Sequence, residues 1–199
     1  MVVAVARFGT SVPLSSMKRP SGGTVKIPTR DLRRATTGGP YLPLMTIRVE
    51  RFRDDLGSHF EKLNLEWIER HFRIEERDRE VLGNPRREVV DRGGEVFFLL
   101  DGNQVLGTCA MIAHGQGVYE LSKMAVDPAS RGRGLGDRLM DAAIAWARGR
   151  GARRIFLESN TVLVPAIELY RKHGFRTTRL GPGDEYERSN IEMTLDLTS

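Results

Sequence analysis

Residues 121–140 read LSKMAVDPASRGRGLGDRLM, and this stretch decides the fold. It begins as an apolar, β-rich run that ends at Asp127-Pro128, continues through a loop of glycine and arginine, and passes directly into an amphipathic helix. Glycines let successive backbone N–H groups point inward, and the helix N-terminus adds a partial positive charge. Arg131 and Arg133 add full charges. The stretch therefore predicts an anion-binding loop between a strand and a helix.

Two familiar phosphate-binding patterns do not fit this loop. A P-loop ends in Gly-Lys followed by Ser or Thr, whereas Gly136 is followed by Asp137 and Arg138. The dinucleotide pattern G-x-G-x-x-G would begin at Gly132 and would need a glycine at position 137. The pattern that fits is R-x-x-G-x-G over residues 131–136. The alternative is a glycine-rich start of a helix that binds no ligand.

The patterns outside this stretch predict a sheet with helices. Alternating residues 46–50 predict a first strand, and apolar positions three or four apart over 52–72 predict one amphipathic helix or two short ones. The β-rich runs 95–100 and 104–113 flank a hairpin turn at 101–103. Further strands are predicted at 118–126, 154–159, 175–180 and 191–197, and helices at 134–150 and 164–173. Because strands and helices alternate only in the second half, the fold class is α+β.

Composition excludes several classes of protein. The chain of 199 residues is 40% hydrophobic and 29% charged, which is enough apolar material for a core and too much for a disordered protein. No stretch approaches the roughly 18 apolar residues of a membrane span. The single cysteine, Cys109, lies in an apolar strand and is interpreted as a core residue. It excludes an internal disulfide and a cysteine-based zinc site, and the four histidines lack paired ligand spacing, so we expect no metal.

The net charge of +5 is concentrated at the N-terminus. Residues 1–44 carry +6, whereas residues 45–199 carry −1, so the body lacks the basic surface of a nucleic-acid-binding protein. The prolines and glycines of residues 1–44 predict a disordered basic extension, with a transit peptide as the alternative, and the ordered domain spans 45–199. We expect a cytoplasmic protein with no nucleic-acid and no membrane partner.

Taken together, these elements resemble the GNAT superfamily of acyl-CoA-dependent N-acetyltransferases. The likeness covers about residues 95–197, where the loop, the helix ending WARGRG, the strand IFLESN and the segment PAIELYRKHGF occur in the family's order and spacing. The resemblance implies a single mixed, mostly antiparallel sheet of six to seven strands flanked by helices. It also implies that the sheet is splayed between strands 118–126 and 154–159, with acetyl-CoA, the co-substrate, held in the gap.

By that resemblance, the coenzyme is bound mainly by backbone groups. The loop would hold the pyrophosphate, and the end of the preceding strand would bond the pantetheine arm and polarise the acetyl carbonyl, as an oxyanion hole does. Asn160 would also bond the pantetheine arm, with a turn-forming asparagine as the alternative. The implied coenzyme-binding residues are Met124, Ala125, Val126, Arg131, Gly132, Arg133, Gly134, Leu135, Gly136 and Asn160.

The resemblance also implies two catalytic residues. Glu120, six residues before the strand ends at Val126, matches the acidic base of the histone-type members, and an exposed strand glutamate is the alternative. Tyr170 matches the tyrosine that protonates the leaving thiolate of coenzyme A. A phenol, with a pKa of about 10, suits that task. The alternative for Tyr170 is an aromatic side chain that packs on its own helix and keeps its hydroxyl in water.

The predicted reaction is direct transfer of the acetyl group from acetyl-CoA to a primary amine of a small molecule or peptide, within a ternary complex. A non-catalytic acyl-CoA sensor is the alternative, and homodimerisation is left open. The acceptor is not specified, because its contacts come from the variable segments 45–94 and 181–190. There, Trp67 would wall the acceptor site or pack in the core, and Arg188 and Asn190 would contact a substrate carboxylate or lie in solvent.

Overall fold

The computed structural model describes residues 47–183 and 186–198. The predicted basic extension, residues 1–44, lies outside the described residues and stays a prediction. The strands described are β1 (Ile47–Arg51), β2 (Glu95–Asp101), β3 (Gln104–Ala113), β4 (Val118–Val126), β5 (Arg154–Ser159), β6 (Arg176–Leu180) and β7 (Ile191–Asp196). The α-helices described are α1 (Gly57–His71), α2 (Glu76–Gly83), α3 (Leu135–Gly149) and α4 (Val164–Lys172).

These strands form one sheet in the order β1-β2-β3-β4-β5-β7-β6. Neighbouring strands are antiparallel except β4 and β5, which are parallel. Helices flank the sheet, and α1 and α3 both pack against β3 and β4. The predicted α+β fold, a single mixed and mostly antiparallel sheet flanked by helices, is confirmed. The expected hairpin is also confirmed, because β2 pairs with β3 from Glu95 to Asp101.

The N-terminal helical region differs in part from the sequence prediction. A short 3-10 turn, Asp54–Leu56, leads into α1, which buries Phe60, Trp67 and Ile68 as the spacing predicts. Helix α2 was not predicted, and neither was a π-helical turn at Arg86–Val90. The sequence of α2 is mostly charged, so it lacks the apolar periodicity that marks a helix.

The predicted splay between β4 and β5 is confirmed. The two strands pair only from Val118 to Glu120, opposite residues 154–156. Beyond that point β4 continues along β3, and β5 continues along β7 to Ser159. The result is a gap in the sheet, bordered by two strands that are each paired on their other side.

Candidate active site

The loop of residues 131–136 runs into the N-terminus of α3, where the backbone N–H groups of the first turn can bind a ligand. Gly134 precedes α3 in the left-handed conformation, with φ of +68°, and because glycine has no side chain, this position gives the helix no side-chain cap. Gly132 is also left-handed, with φ of +75°. A Cβ at either glycine would meet no atom within 4 Å among the described residues, so both face open space. Uncapped N–H groups at a helix N-terminus attract anions.

This open space is a cleft of about 170 Å³. The loop and the first turn of α3 form one wall, Val126 lies at the end of β4, and Pro165 and Leu169 of α4 form the other wall. Asp137 also lines the cleft, and its charge is offset by Lys172, whose Nζ lies 2.6 Å from the carboxylate. The cleft therefore extends from the first turn of α3 to the end of β4.

A β-bulge in β4 determines which backbone groups face the gap. Thr108 pairs with Ala125, but Ala110 pairs with Ser122, so β4 has one extra residue at 123–124. Lys123 adopts φ of +50° there. After the bulge, the Asp127 N–H donates to the Leu106 carbonyl of β3 at 2.9 Å. Because backbone groups alternate along a strand, those of Ala125 also face β3, whereas those of Met124 and Val126 face the gap.

The hydroxyl of Tyr170 is enclosed by protein. Its side chain is fully buried on α4, and the hydroxyl makes no hydrogen bond of normal geometry to a described residue. Burial raises the pKa of Tyr170 well above its usual value, while an interaction with nearby Ser159 opposes this shift and the Cys109 thiol adds to it. The hydroxyl is therefore protonated at neutral pH and lacks a well-formed hydrogen-bond acceptor among the described residues. The alternative that it lies in water is wrong.

Glu120 is fully buried, so the exposed-glutamate alternative is wrong. It occupies the last position at which β4 pairs with β5. Nε2 of His114 lies 3.1 Å from its carboxylate, and the His114 ring packs edge-on against Phe156 at 5.0 Å. A carboxylate buried at the start of the gap can accept a proton from a group bound there.

A buried charge cluster lies beside the bulge; it consists of Asp78, Lys123, Tyr186 and Arg188. Nζ of Lys123 donates to Asp78 and to the Tyr186 hydroxyl, the latter at 3.0 Å. Arg188 donates two hydrogen bonds to the Asp78 carboxylate, each 2.7 Å long. Burial opposes ionisation of Asp78, but the charges of Lys123 and Arg188 outweigh it and hold its pKa below the usual range.

This cluster corrects one expectation and adds residues that sequence reasoning missed. Arg188 is not a solvated loop charge, because its side chain is only 6% exposed. Lys123 lies between Ser122 and Met124 in a mostly apolar strand, which is a signal that the sequence did contain. Nothing in the sequence connects it to Asp78 or Tyr186.

The remaining candidates take structural positions. Asn160 donates to the Arg188 carbonyl at 2.5 Å and accepts from the Val162 N–H at 3.0 Å, which favours the turn-forming interpretation. Asn190 bonds the Thr161 backbone and hydroxyl. Trp67 is buried and stacks on His71.

Cys109 is buried, as predicted, and burial raises its pKa. In residues 47–183 and 186–198, no group of three or more His, Cys, Asp or Glu could hold a metal ion. None of the helices described in these ranges is long and apolar enough to cross a bilayer.

Comparison with known proteins adds a family. The sequence model of the Acetyltransferase (GNAT) family matches residues 50–175. The mycothiol acetyltransferase of Corynebacterium glutamicum is 33% identical over 84 residues, which are 42% of this chain and 29% of that relative. The chain therefore spans less than a third of the length of this relative.

Two solved structures show the same fold. An acetyltransferase of the GNAT family from Staphylococcus aureus Mu50 has a TM-score of 0.71 and 20% identity, covering 77% of this chain and 100% of that one. The protein yncA of Salmonella typhimurium, solved with its cofactor acetyl-CoA, has a TM-score of 0.61 and 19% identity, covering 77% and 95%. At these identities the likeness establishes the fold alone.

Proposed function

The chain belongs to the acetyltransferase (GNAT) family, and on that premise we propose that it transfers an acetyl group from acetyl-CoA to a primary amine. One observation carries the proposal: the end of β4 and the uncapped start of α3 border one cleft, and the buried Tyr170 hydroxyl lies near Ser159 of β5 and Cys109 of β3, the strands on either side of β4. The strand end, the helix start and the hydroxyl each offer a donor without a well-formed acceptor among the described residues. A thioester-bearing, phosphate-bearing ligand supplies acceptors for all three.

Acetyl-CoA is the proposed co-substrate, and the Salmonella relative, solved with acetyl-CoA, supports this assignment. The loop of residues 131–136 and the first turn of α3 would bind its pyrophosphate through N–H groups. Met124 and Val126 would bond its pantetheine arm through the backbone groups that face the gap. The backbone of Ala125 bonds β3, and the side chain of Asn160 bonds its own turn. These two residues would therefore line the coenzyme site without a hydrogen bond from those groups.

When bound, the coenzyme supplies an acetyl thioester, which is an electrophile for an amine. A backbone N–H on the gap side of β4 would stabilise negative charge that develops on the thioester oxygen, which is usually the largest catalytic contribution. Tyr170 would donate its proton to the departing sulfur. Tyr170 is protonated at neutral pH and therefore has a proton to donate.

Glu120 is the proposed base. An amine is protonated at neutral pH and must lose a proton before it attacks. Glu120 lies at the closed end of the gap and would accept this proton, while His114 holds its carboxylate at 3.1 Å. The acceptor is proposed to be a small-molecule or peptide amine.

The test is release of the coenzyme A thiol from acetyl-CoA over a panel of amines: α-amino acids, peptides with free N-termini, aliphatic diamines and aminoglycosides. The proposal expects release with at least one class and a mass increase of one acetyl group on that amine. Tight binding of acetyl-CoA without release for any class would instead indicate the acyl-CoA sensor.

Replacing Glu120 by Gln tests the base. We expect turnover to fall most at low pH and to recover as the pH rises toward the pKa of the amine itself, because free amine is then abundant. Glu168 is exposed on α4, and Glu168→Gln is the matched control, with turnover expected near that of the wild type. A small effect of Glu120→Gln that is equal at every pH would rule out its role as base.

A further inference from the structure

The bulge in β4 reverses the orientation of every backbone group that follows it. Before the bulge, the His114 N–H donates to the Val118 carbonyl, so even-numbered residues of β4 bond β3 and odd-numbered ones face β5. After the bulge, odd-numbered residues bond β3. Without the extra residue, the groups of Ala125 would face the gap and those of Met124 and Val126 would bond β3.

The residue at this reversal is in an unusual conformation. Lys123 has φ of +50°, in the left-handed region that side chains with a Cβ disfavour. Backbone strain of this kind persists only where surrounding contacts hold it. The contacts of the Lys123 side chain can supply the stabilisation that this conformation needs.

Those contacts anchor Lys123 from two other parts of the chain. Nζ is fully buried, bonds the carboxylate of Asp78 on α2, and lies 4.6 Å from the ring centre of Tyr186. The Arg188 guanidinium lies over the same ring, 4.3 Å from its centre, and also bonds Asp78. The anchor thus joins β4 to α2 and to the segment between β6 and β7.

We propose that Lys123 is a positioning residue: its anchored ammonium holds the β4 bulge, and the bulge turns the N–H groups of Met124 and Val126 into the cofactor gap. The kinetic part of this inference rests on the proposed function, but the backbone part does not. Asp78 keeps both hydrogen bonds from Arg188 when Lys123 is replaced, so the protein is expected to fold without the lysine.

The test compares Lys123→Met with Lys123→Gly in the full chain. Both remove the ammonium, but glycine adopts a positive φ readily and methionine does not. We expect turnover to fall about 10²-fold or more in Lys123→Met, the effect of losing one oxyanion donor, and to return to within about tenfold of the wild type in Lys123→Gly. Circular dichroism confirms that both are folded. Equal losses in the two folded variants, or turnover near the wild type in both, would overturn the proposal.

Amide hydrogen exchange followed by NMR tests the backbone without any ligand. In the wild type and in Lys123→Gly, the Ala125 amide should be protected and the Val126 amide should exchange faster. In Lys123→Met this order should reverse. The same order in all three proteins would overturn the proposal, whereas absence of transferase activity in the wild type would overturn only the proposed function.

Discussion

The loop of residues 131–136 and the charge cluster lie beside the same strand, β4, yet they are built differently. The loop is contiguous in sequence, and it offers backbone N–H groups and empty space. The charge cluster is made of side chains, and Lys123 is 45 residues from Asp78 and 63 from Tyr186 along the chain. A backbone site needs glycines at fixed spacing and so leaves a local signature, whereas a side-chain site assembled across the chain leaves none.

The largest effect is expected on the stability of the protein when the charge cluster is changed. Asp78→Ala removes the carboxylate that bonds both Lys123 and Arg188. Arg188 keeps Glu75, 2.9 Å away, but the buried Lys123 loses its ion-pair partner, so we expect a loss of about 3–5 kcal/mol in the free energy of unfolding. Urea denaturation measures it. Asp54→Ala is the matched control, because Asp54 also accepts two hydrogen bonds from an arginine, Arg86, but on the surface. Its loss should be much smaller.

The stability difference between the wild type and Asp78→Ala should depend on pH. The pKa of Asp78 is lowered in the folded state, so its ionised form stabilises the protein above the unfolded-state pKa of about 4. This contribution is lost as the pH falls through the folded-state pKa. The stability difference between wild type and Asp78→Ala should therefore be constant near neutral pH and shrink below about pH 4. A constant difference down to pH 2 would mean that the charge of Asp78 is not what stabilises the cluster.

The next effect is on catalysis and not on stability. Tyr170→Phe removes only a buried hydroxyl that forms no hydrogen bond of normal geometry in the part of the chain that the structure describes, so the melting temperature should stay the same or rise. Turnover should fall roughly 10²-fold, with acetyl-CoA affinity largely kept. Tyr119, which packs edge-on against Trp146 at 5.3 Å, provides the control Tyr119→Phe. Turnover of Tyr170→Phe within about twofold of the wild type would exclude it as the acid.

A smaller effect, on coenzyme affinity, is expected when the loop of residues 131–136 is changed. Gly134→Val places a branched side chain at the left-handed start of α3, where it would crowd the phosphate groups. Gly151→Val is the matched control, because Gly151 has φ of +71° and equally open surroundings at the other end of α3. Both variants should lose similar stability, but only Gly134→Val should bind coenzyme A about tenfold more weakly by calorimetry. Equal affinities of the two variants for coenzyme A would show that the loop does not bind the phosphate groups.

The smallest effect is predicted for the N-terminal extension. The prolines and glycine pairs of residues 1–44 interrupt any sustained apolar pattern that could pack, and both the loop and the charge cluster lie after this segment. Deleting residues 1–44 should leave the melting temperature and turnover nearly unchanged. A clear loss of either in the shortened protein would show that the extension contacts the domain.

The sequence could predict the parts of the site that depend on local pattern. Glycine spacing located the loop at 131–136, and the resemblance placed Tyr170 on its helix and predicted the gap beside β4. It could not predict α2, because a helix that buries Asp78 as an ion-pair partner has no apolar stripe. The burial of Arg188 was missed for the same reason, since a charged loop residue is normally solvated unless a distant partner neutralises it.

Only three residue pairs join β4 to β5 in the described sheet, and the gap beyond them affects how long the protein survives in a cell. A ligand that fills the gap beyond them binds the folded state only, and so adds to the free energy of unfolding, by about 2.7 kcal/mol when its concentration is 100 times its Kd. Proteolysis in a cell follows the population of opened molecules. On the proposed function, this ligand is the acyl donor, and the protein should be degraded faster when the supply of that donor falls.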